Sequence, residues 1–110
     1  MDSYAIIMTP DAIDDMTDLR NYITDVLGAP KTALAYIRTV RKEIGSLAEM
    51  PARYKPVDDE PWHSRGVRRF LAKNSFVYYR IDESTRKVYI MNIIYARRNQ
   101  LRAMAGMKID

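Results

Sequence analysis

Arginine, lysine and tyrosine are the residue types in this 110-residue chain that could carry chemistry, and most of them lie in its second half. Between Arg65 and Arg102 there are ten basic residues and two acids, whereas Met1 to Glu60 has eleven acids and seven basic residues. Guanidinium and ammonium groups bind phosphates and carboxylates, and lysine and tyrosine can also transfer protons. We therefore expect the second half to contact a polyanion or an acidic partner.

The residue types on which many enzymes depend are nearly absent. The lack of cysteine excludes disulfides, thiolate ligands and a cysteine nucleophile. His63 is the only histidine, which argues against a serine-type triad and the usual zinc sites. The acidic run Asp58-Asp59-Glu60 is more typical of a solvated loop than of a cation site. We predict no metal, no cofactor and no small-molecule substrate, and the sequence argues against a metabolic enzyme.

Length and hydropathy indicate a single domain over residues 1–110. No apolar run approaches the roughly 18 residues needed to cross a membrane, and the first residues do not resemble a signal peptide. We therefore expect a cytoplasmic protein that makes no membrane contact.

The first half predicts a strand followed by two helices. An apolar run at 3–8 precedes Thr9-Pro10-Asp11, which is typical of a helix start because threonine caps and proline suits the first helical position. Apolar residues then recur every three or four positions until Gly28, and again from Pro30 to Leu47. This pattern predicts an antiparallel helical hairpin.

The second half predicts strands after an ordered loop. Three prolines interrupt residues 51–66, and Trp62 is expected to pin this loop to the body. Strands are predicted at 67–73, 76–82 and 87–95, with turns at 74–75 and 83–85, and only a weak helix at 100–107. Period-two alternation should direct Val77, Tyr79 and Ile81 towards the helices. The predicted fold is α+β, an antiparallel three-stranded meander packed on the hairpin.

Three motifs in this order resemble the RelE/ParE superfamily of toxins from type II toxin–antitoxin systems. They are Thr9-Pro10-x-Ala12-x-x-Asp15, the run 66–70 with 74–80, and Ile94-Tyr95-Ala96-Arg97-Arg98. The resemblance spans nearly the whole chain and implies a protein that inhibits bacterial growth when its cognate antitoxin is absent. An acidic antitoxin segment is expected to cross the helical hairpin and to reach a basic patch around Arg69, Arg80 and Arg98.

RelE-like members imply an endoribonuclease that cleaves messenger RNA on the ribosome. Such a reaction needs groups that stabilise charge on phosphorus and others that move protons. Arg98 matches a last-strand arginine of these nucleases and Arg69 a basic position on the preceding hairpin. Lys73, Tyr78 or Tyr95 would then handle protons, since arginine stays protonated.

ParE-like members imply inhibition of DNA gyrase without a nuclease site. Phe76 stands where the nucleases usually have an arginine, and Leu101 and Met104 stand where they have a tyrosine or a histidine–tyrosine pair. These departures slightly favour gyrase over ribosome-bound messenger RNA. The residues then expected to bind the target are Arg68, Arg80, Tyr78, Arg97 and Arg102.

Each of these residues also has an ordinary explanation. Strand arginines are often solvated, and tyrosines more often pack than exchange protons. A basic nucleic-acid-binding module therefore remains an alternative. An adjacent gene for a short acidic protein would favour the toxin.

Overall fold

The computed structural model describes residues 3–108, which form the predicted α+β fold. The elements follow one another as β1 (Ala5–Met8), α1 (Pro10–Asn21), a π-helical turn (Tyr22–Val26), α2 (Pro30–Gly45), two 3-10 turns (Ser46–Ala48 and Pro51–Arg53), β2 (Arg68–Ala72), β3 (Ser75–Asp82), β4 (Lys87–Tyr95) and α3 (Gln100–Met104). No helix within this part of the chain is long and apolar enough to span a membrane.

The strands form one four-stranded sheet in the order β1-β4-β3-β2. The antiparallel pairing of β2 with β3 and of β3 with β4 confirms the predicted meander. The N-terminal strand joins it by pairing in parallel with β4. The register shifts between Tyr78 and Tyr79, opposite Asn92 and Ile90, so Met91 is the extra residue of a bulge in β4.

Thr9 links β1, α1 and β4. Its hydroxyl accepts a hydrogen bond from the Ala12 N–H at 3.3 Å and donates to the Ile90 carbonyl at 2.7 Å. Pro10 occupies the first turn of α1, as the sequence predicts. The hairpin therefore starts from a fixed point beside Ile90, between the edge strand β1 and its neighbour β4.

The first half of the helical hairpin ends just before Gly28, as the sequence predicts, but its last turn is not α-helical. Tyr22–Val26 is a π-helical turn, and Gly28 then adopts a left-handed conformation (φ 63°) that suits glycine. Pro30 starts α2 in its first helical turn. The wider π turn directs Tyr22 and Leu27 into solvent, where they are 50% and 59% exposed.

The predicted turn between the first two meander strands was wrong by one residue. Lys73 and Asn74 form the turn, with Lys73 left-handed (φ 57°), and Ser75 already belongs to β3. Ser75 is buried, and its hydroxyl lies 2.7 Å from the Tyr36 hydroxyl of α2. This contact holds Ser75 in the sheet.

The two faces of the sheet are covered differently. The face towards α1 and α2, here called the inner face, carries Val77 and Tyr79 in the main core, with Ile81 packed against it, which confirms the predicted alternation. The opposite, outer face carries Tyr78 and a second cluster. The other members of that cluster are Val57, Val67, Met91, Ile94, Met104 and Met107. Trp62 packs against it, so the loop is pinned as predicted, and the short helix α3 contributes Met104.

Candidate functional site

Arg69 lies on the outer face and is held by its neighbours. Its Nη1 donates a hydrogen bond to the Tyr78 hydroxyl at 3.1 Å, and its Cζ lies 4.2 Å from the centre of the Phe76 ring. A guanidinium over an aromatic face gains electrostatic attraction from the ring. Phe76 therefore serves as a platform for Arg69.

Tyr78 is fully buried beneath α3. Its hydroxyl donates to Gln100 Oε1 at 2.7 Å while accepting from Arg69. Burial raises the pKa of Tyr78, and the hydrogen bond from Arg69 partly opposes this shift. The side chain of Tyr78, which the sequence suggested as a target-binding residue, is therefore not exposed on the protein surface.

Arg68 and Arg80, two further predicted target-binding residues, are half-buried. Arg68 Nη1 donates to the carbonyls of Tyr54 and Ala52, so it ties the loop before β2 to the sheet. Arg80 stacks over the Tyr89 ring on the outer face, with its Cζ 4.4 Å from the ring centre. Arg68 thus has a clear structural role, and Arg80 shares the outer face with Arg69.

Tyr95 and Arg98 belong to the other side of the sheet. Tyr95 pairs with Ser75, whose side chain faces α2, and both Tyr95 and Arg98 line a groove of about 540 Å³ between the hairpin and the end of the sheet. We call this the hairpin-tip groove. Its walls include Asp18, Tyr22, Leu27, Tyr36, Tyr95 and Arg98.

Four of the residues proposed for a nuclease, Arg69, Lys73, Tyr95 and Arg98, are consequently not brought together. Arg69 projects from the outer face, whereas Tyr95 and Arg98 line the groove on the inner side. Lys73 is exposed in the β2–β3 turn. The predicted patch of Arg69, Arg80 and Arg98 is divided in the same way, because only Arg69 and Arg80 share a face.

Arg97 lies in the turn after β4 and Arg102 lies in α3, and both side chains are exposed. Arg98 is exposed as well, and no hydrogen bond or ion pair of its guanidinium is seen among residues 3–108. Exposed cations without internal partners can bind a partner molecule at little cost. Arg97, Arg98 and Arg102 are thus exposed basic residues beyond the end of β4, and Lys73 of the predicted set is exposed as well.

Asp15 is a positioning residue whose role the sequence did not reveal. Its Oδ2 accepts hydrogen bonds from the Ile93 N–H at 2.9 Å and from Asn92 Nδ2 at 3.0 Å. Burial raises the pKa of this carboxyl group, and the two hydrogen bonds partly lower it. Asp15 is the last residue of the motif Thr9-Pro10-x-Ala12-x-x-Asp15, which resembles the toxin superfamily. That motif was the only sign in the sequence that Asp15 has a role.

A second groove, here called the β1 groove, lies between the hairpin and β1. It has a volume of about 450 Å³ and an apolar floor. The groove is lined by Ile6, Met8, Ile13, Ile37, Arg20 and Arg41, among others. Ile13 is 50% exposed within it although it belongs to the apolar stripe of α1. The three- and four-residue spacing indicated the apolar stripe of α1 but not that this part of the stripe is open to solvent.

Within residues 3–108 no group of three histidine or acidic side chains is placed to hold a metal ion. His63 has its Nδ1 2.7 Å from the Val57 carbonyl in the exposed loop. His63 therefore helps to stabilise the loop that precedes β2.

Several solved structures share this fold. The toxin–antitoxin system ParDE of P. aeruginosa superposes with a TM-score of 0.71 at 17% identity, covering 88% of this chain and 100% of that one. The RelBE2 toxin–antitoxin complex of Mycobacterium tuberculosis gives 0.59 at 22% identity, with 84% and 98% covered. A mutant E. coli toxin RelE in the free state gives 0.61 at 11% identity, with 92% of each chain covered. These likenesses concern the fold.

A family model describing the ParE toxin of the type II toxin–antitoxin system parDE matches residues 6–100. No curated protein sequence matches the chain significantly. The family match covers β1 except for Ala5 and all elements from α1 to β4, including both grooves and the residues that tie Asp15 to the sheet. The chain therefore belongs to the ParE toxin family, within the RelE/ParE superfamily of type II toxin–antitoxin toxins.

Proposed function

We propose that this toxin stops growth in the cytoplasm by binding DNA gyrase and not by cleaving messenger RNA. The observation that carries the proposal is the division of the nuclease candidates between the two faces of the sheet. Arg69 lies on the outer face, and Tyr95 and Arg98 line a groove on the inner side. The match to the ParE family model supports the same target.

Cleavage of RNA by its own 2′-hydroxyl requires a base, an acid and charge-stabilising donors that converge on one phosphate. Here Tyr78 is buried under α3, and Arg69 is engaged with Tyr78 and Phe76. Burial also raises the pKa of Tyr78, which makes it a weaker source of protons at neutral pH. The residues proposed from the sequence for this reaction thus do not converge on one point.

Inhibition of gyrase requires only a surface that binds it. Arg97, Arg98 and Arg102 are exposed near the end of the sheet and are available for contacts with another macromolecule. Electrostatic attraction would speed the encounter with a partner of negative potential, such as an enzyme bound to DNA. We expect these three arginines to belong to the gyrase-binding surface.

A cognate antitoxin is the second partner, and we propose that it docks in the β1 groove. The floor of this groove is apolar, and the charged residues in its walls are Arg20 and Arg41. An amphipathic acidic helix would place apolar side chains on this floor and carboxylates beside the arginines.

Purified protein added to gyrase, supercoiled DNA and ATP should generate trapped DNA breaks. The same protein added to a reconstituted translation reaction should leave the message intact. Arg98→Gln should reduce the breaks at least about tenfold, whereas Arg38→Gln, an exposed change in α2 outside both grooves, should not. Codon-positioned cleavage of the message without any effect on gyrase would contradict the proposal and favour the RelE-like activity.

The antitoxin site can be tested separately by co-expression with the adjacent short gene. Ile13→Asn removes an apolar contact from the β1 groove, and Leu34→Asn is the matched control because Leu34 is equally exposed on α2 but lines neither groove. We expect Ile13→Asn to weaken the complex and Leu34→Asn to leave it unchanged. If the Ile13→Asn and Leu34→Asn variants bind the antitoxin equally well, the antitoxin does not dock in the β1 groove.

A further inference from the structure

The two grooves beside the helical hairpin differ in charge. The β1 groove carries two arginines and no acid in its lining. The hairpin-tip groove carries Asp15 and Asp18 on one wall and Arg98 on the other. An acidic segment is attracted by the first groove, but the carboxylates of the second groove repel it. The hairpin-tip groove therefore fits an occupant that has charges of both signs.

The charged groups on the rim of the hairpin-tip groove are available to such an occupant. Asp15 already accepts hydrogen bonds from Ile93 and Asn92. The carboxylate of Asp18 and the guanidinium of Arg98, in contrast, have no hydrogen bond or ion pair with any residue between 3 and 108. Both side chains are exposed. A basic side chain could pair with Asp18 and an acidic one with Arg98.

Between these charges the groove presents apolar surface to solvent. Tyr22 is 50% exposed and Leu27 is 59% exposed, and both line the groove. The π-helical turn that includes Tyr22 brings them there, and π turns within helices are frequent at functional sites. Exposed apolar side chains rimmed by polar groups are typical of a protein–protein contact.

We infer that the hairpin-tip groove is the docking site for a protein segment of the toxicity target, in which an apolar side chain is flanked by one basic and one acidic residue. The apolar side chain packs against Tyr22 and Leu27, the basic residue pairs with Asp18, and the acidic residue pairs with Arg98. The identity of the target rests on the proposed function, in which it is gyrase. The antitoxin remains in the β1 groove.

Two pairs of neighbouring residues allow a matched test. Leu27→Asn changes the groove, whereas Val26→Asn changes an adjacent side chain that is 68% exposed and does not line it. Asp18→Lys reverses the rim charge, whereas Asp14→Lys makes the same change one helical turn earlier, on an exposed side chain outside the groove. Melting temperatures of all four variants should match that of the wild-type toxin, because the changes are on the surface.

Three quantities are then measured for the wild-type toxin and the variants: the inducer concentration that arrests growth, the affinity for purified gyrase by fluorescence anisotropy, and the affinity for the co-expressed antitoxin. Leu27→Asn and Asp18→Lys should each weaken gyrase binding by about tenfold or more, as loss of a central contact does. Both should require correspondingly more inducer. Antitoxin affinity should stay within about twofold, and the control variants should behave as wild type.

Wild-type gyrase affinity in the two groove variants would overturn the inference, as would undiminished growth arrest by them. A tenfold loss of antitoxin affinity in the same variants would also overturn it, because the antitoxin would then occupy the groove. If the wild-type toxin does not bind gyrase, the proposed target is wrong, and the growth-arrest comparison still decides whether this groove binds the actual target.

Discussion

The carboxylate of Asp15 in α1 accepts a hydrogen bond from the backbone N–H of Ile93 in β4, at 2.9 Å. A second bond comes from the side chain of Asn92, next to the bulge of β4. Asp15 and Ile93 both line the hairpin-tip groove, on opposite walls. This single carboxylate therefore fixes the distance between the helical wall and the sheet wall of the groove.

Asp15→Ala should lower the free energy of unfolding by about 1–3 kcal/mol, because the buried N–H of Ile93 would lose its acceptor. Asp15→Asn should cost less, since its amide oxygen can accept one of the two hydrogen bonds. Asp14→Ala, an exposed change on the same helix, is the control. Urea unfolding measures all three, and equal stability of the Asp15→Ala variant would show that water replaces the carboxylate.

The same carboxyl group predicts a dependence of stability on pH. Burial raises the pKa of Asp15 above its ordinary value of 3.8, so the folded protein holds this proton more tightly than the unfolded chain does. The contribution of Asp15 to the free energy of unfolding must therefore fall as pH rises from 3.8 through the folded-state pKa. The difference in free energy of unfolding between the wild type and Asp15→Asn, measured at several acidic pH values, should show this fall, because the other carboxyl groups titrate in both proteins.

Tyr79 should make the fold sensitive to alkali. Its buried hydroxyl donates to the Pro51 carbonyl at 2.6 Å, and burial raises the pKa of Tyr79 from 10.0 to about 12. Since the unfolded chain loses this proton first, the stability contributed by Tyr79 falls as pH rises from 10.0 towards about 12. Tyr79→Phe should be about 1–3 kcal/mol less stable at neutral pH and should lose less stability in that alkaline range. Identical alkaline profiles would contradict the role of Tyr79.

Gln100 should control how tightly α3 covers the outer face. Its Oε1 accepts from Tyr78, and its Nε2 donates to the carbonyls of Tyr95 and Arg98, both at 2.9 Å. Gln100→Ala removes these bonds, each worth about 0.5–1.5 kcal/mol, and should speed amide hydrogen exchange in α3. Leu101→Ala, at a side chain 59% exposed, is the control. Unchanged exchange would mean that Met104 and Met107 hold the helix without Gln100.

Arg69 and Arg98 should respond differently to the same substitution. Arg98→Gln should reduce toxicity and leave the melting temperature unchanged, because its guanidinium has no partner among residues 3–108. Arg69→Gln should lower the free energy of unfolding by about 1–2 kcal/mol, since the contacts with Tyr78 and Phe76 are lost. Denaturation and growth assays compare them. Loss of toxicity in Arg69→Gln at unchanged stability would move the target surface to the outer face.

Local patterns predicted the parts of the fold that depend on neighbouring residues. A few consecutive residues were enough to predict the cap at Thr9 and the break between the two helices near Gly28 and Pro30. The same holds for the placement of Val77 and Tyr79 on one face of β3. The candidate site depended on which face each strand residue takes and on what covers it. The alternation of side chains along each strand would have placed Arg69 and Tyr95 on opposite faces if the register of β2, β3 and β4 had been known. The sequence does not give that register.

Other features depend on contacts between distant parts of the chain. Tyr78 is buried because Gln100 and α3 close over it, and a terminal segment with weak helical propensity gave little sign of that. The hairpin-tip groove arises where the π-helical turn meets the end of β4, and neither element reveals the other. The sequence thus indicated which residue types to consider, but not that Arg69 would lie on the outer face of the sheet and Tyr95 and Arg98 on the inner side.

The parallel pairing of β1 with β4 has a consequence for the order in which the toxin can fold. The strand made first on the ribosome finds its partner only in the strand made last, and Thr9 reaches the carbonyl of Ile90 across 81 residues. Contacts so far apart in sequence slow folding, because the intervening chain must be ordered before they form. The nascent chain therefore stays without the complete sheet, and without the hairpin-tip groove, until β4 has left the exit tunnel. The groove to which we assign the target is thus completed later than the helical hairpin that forms one of its walls.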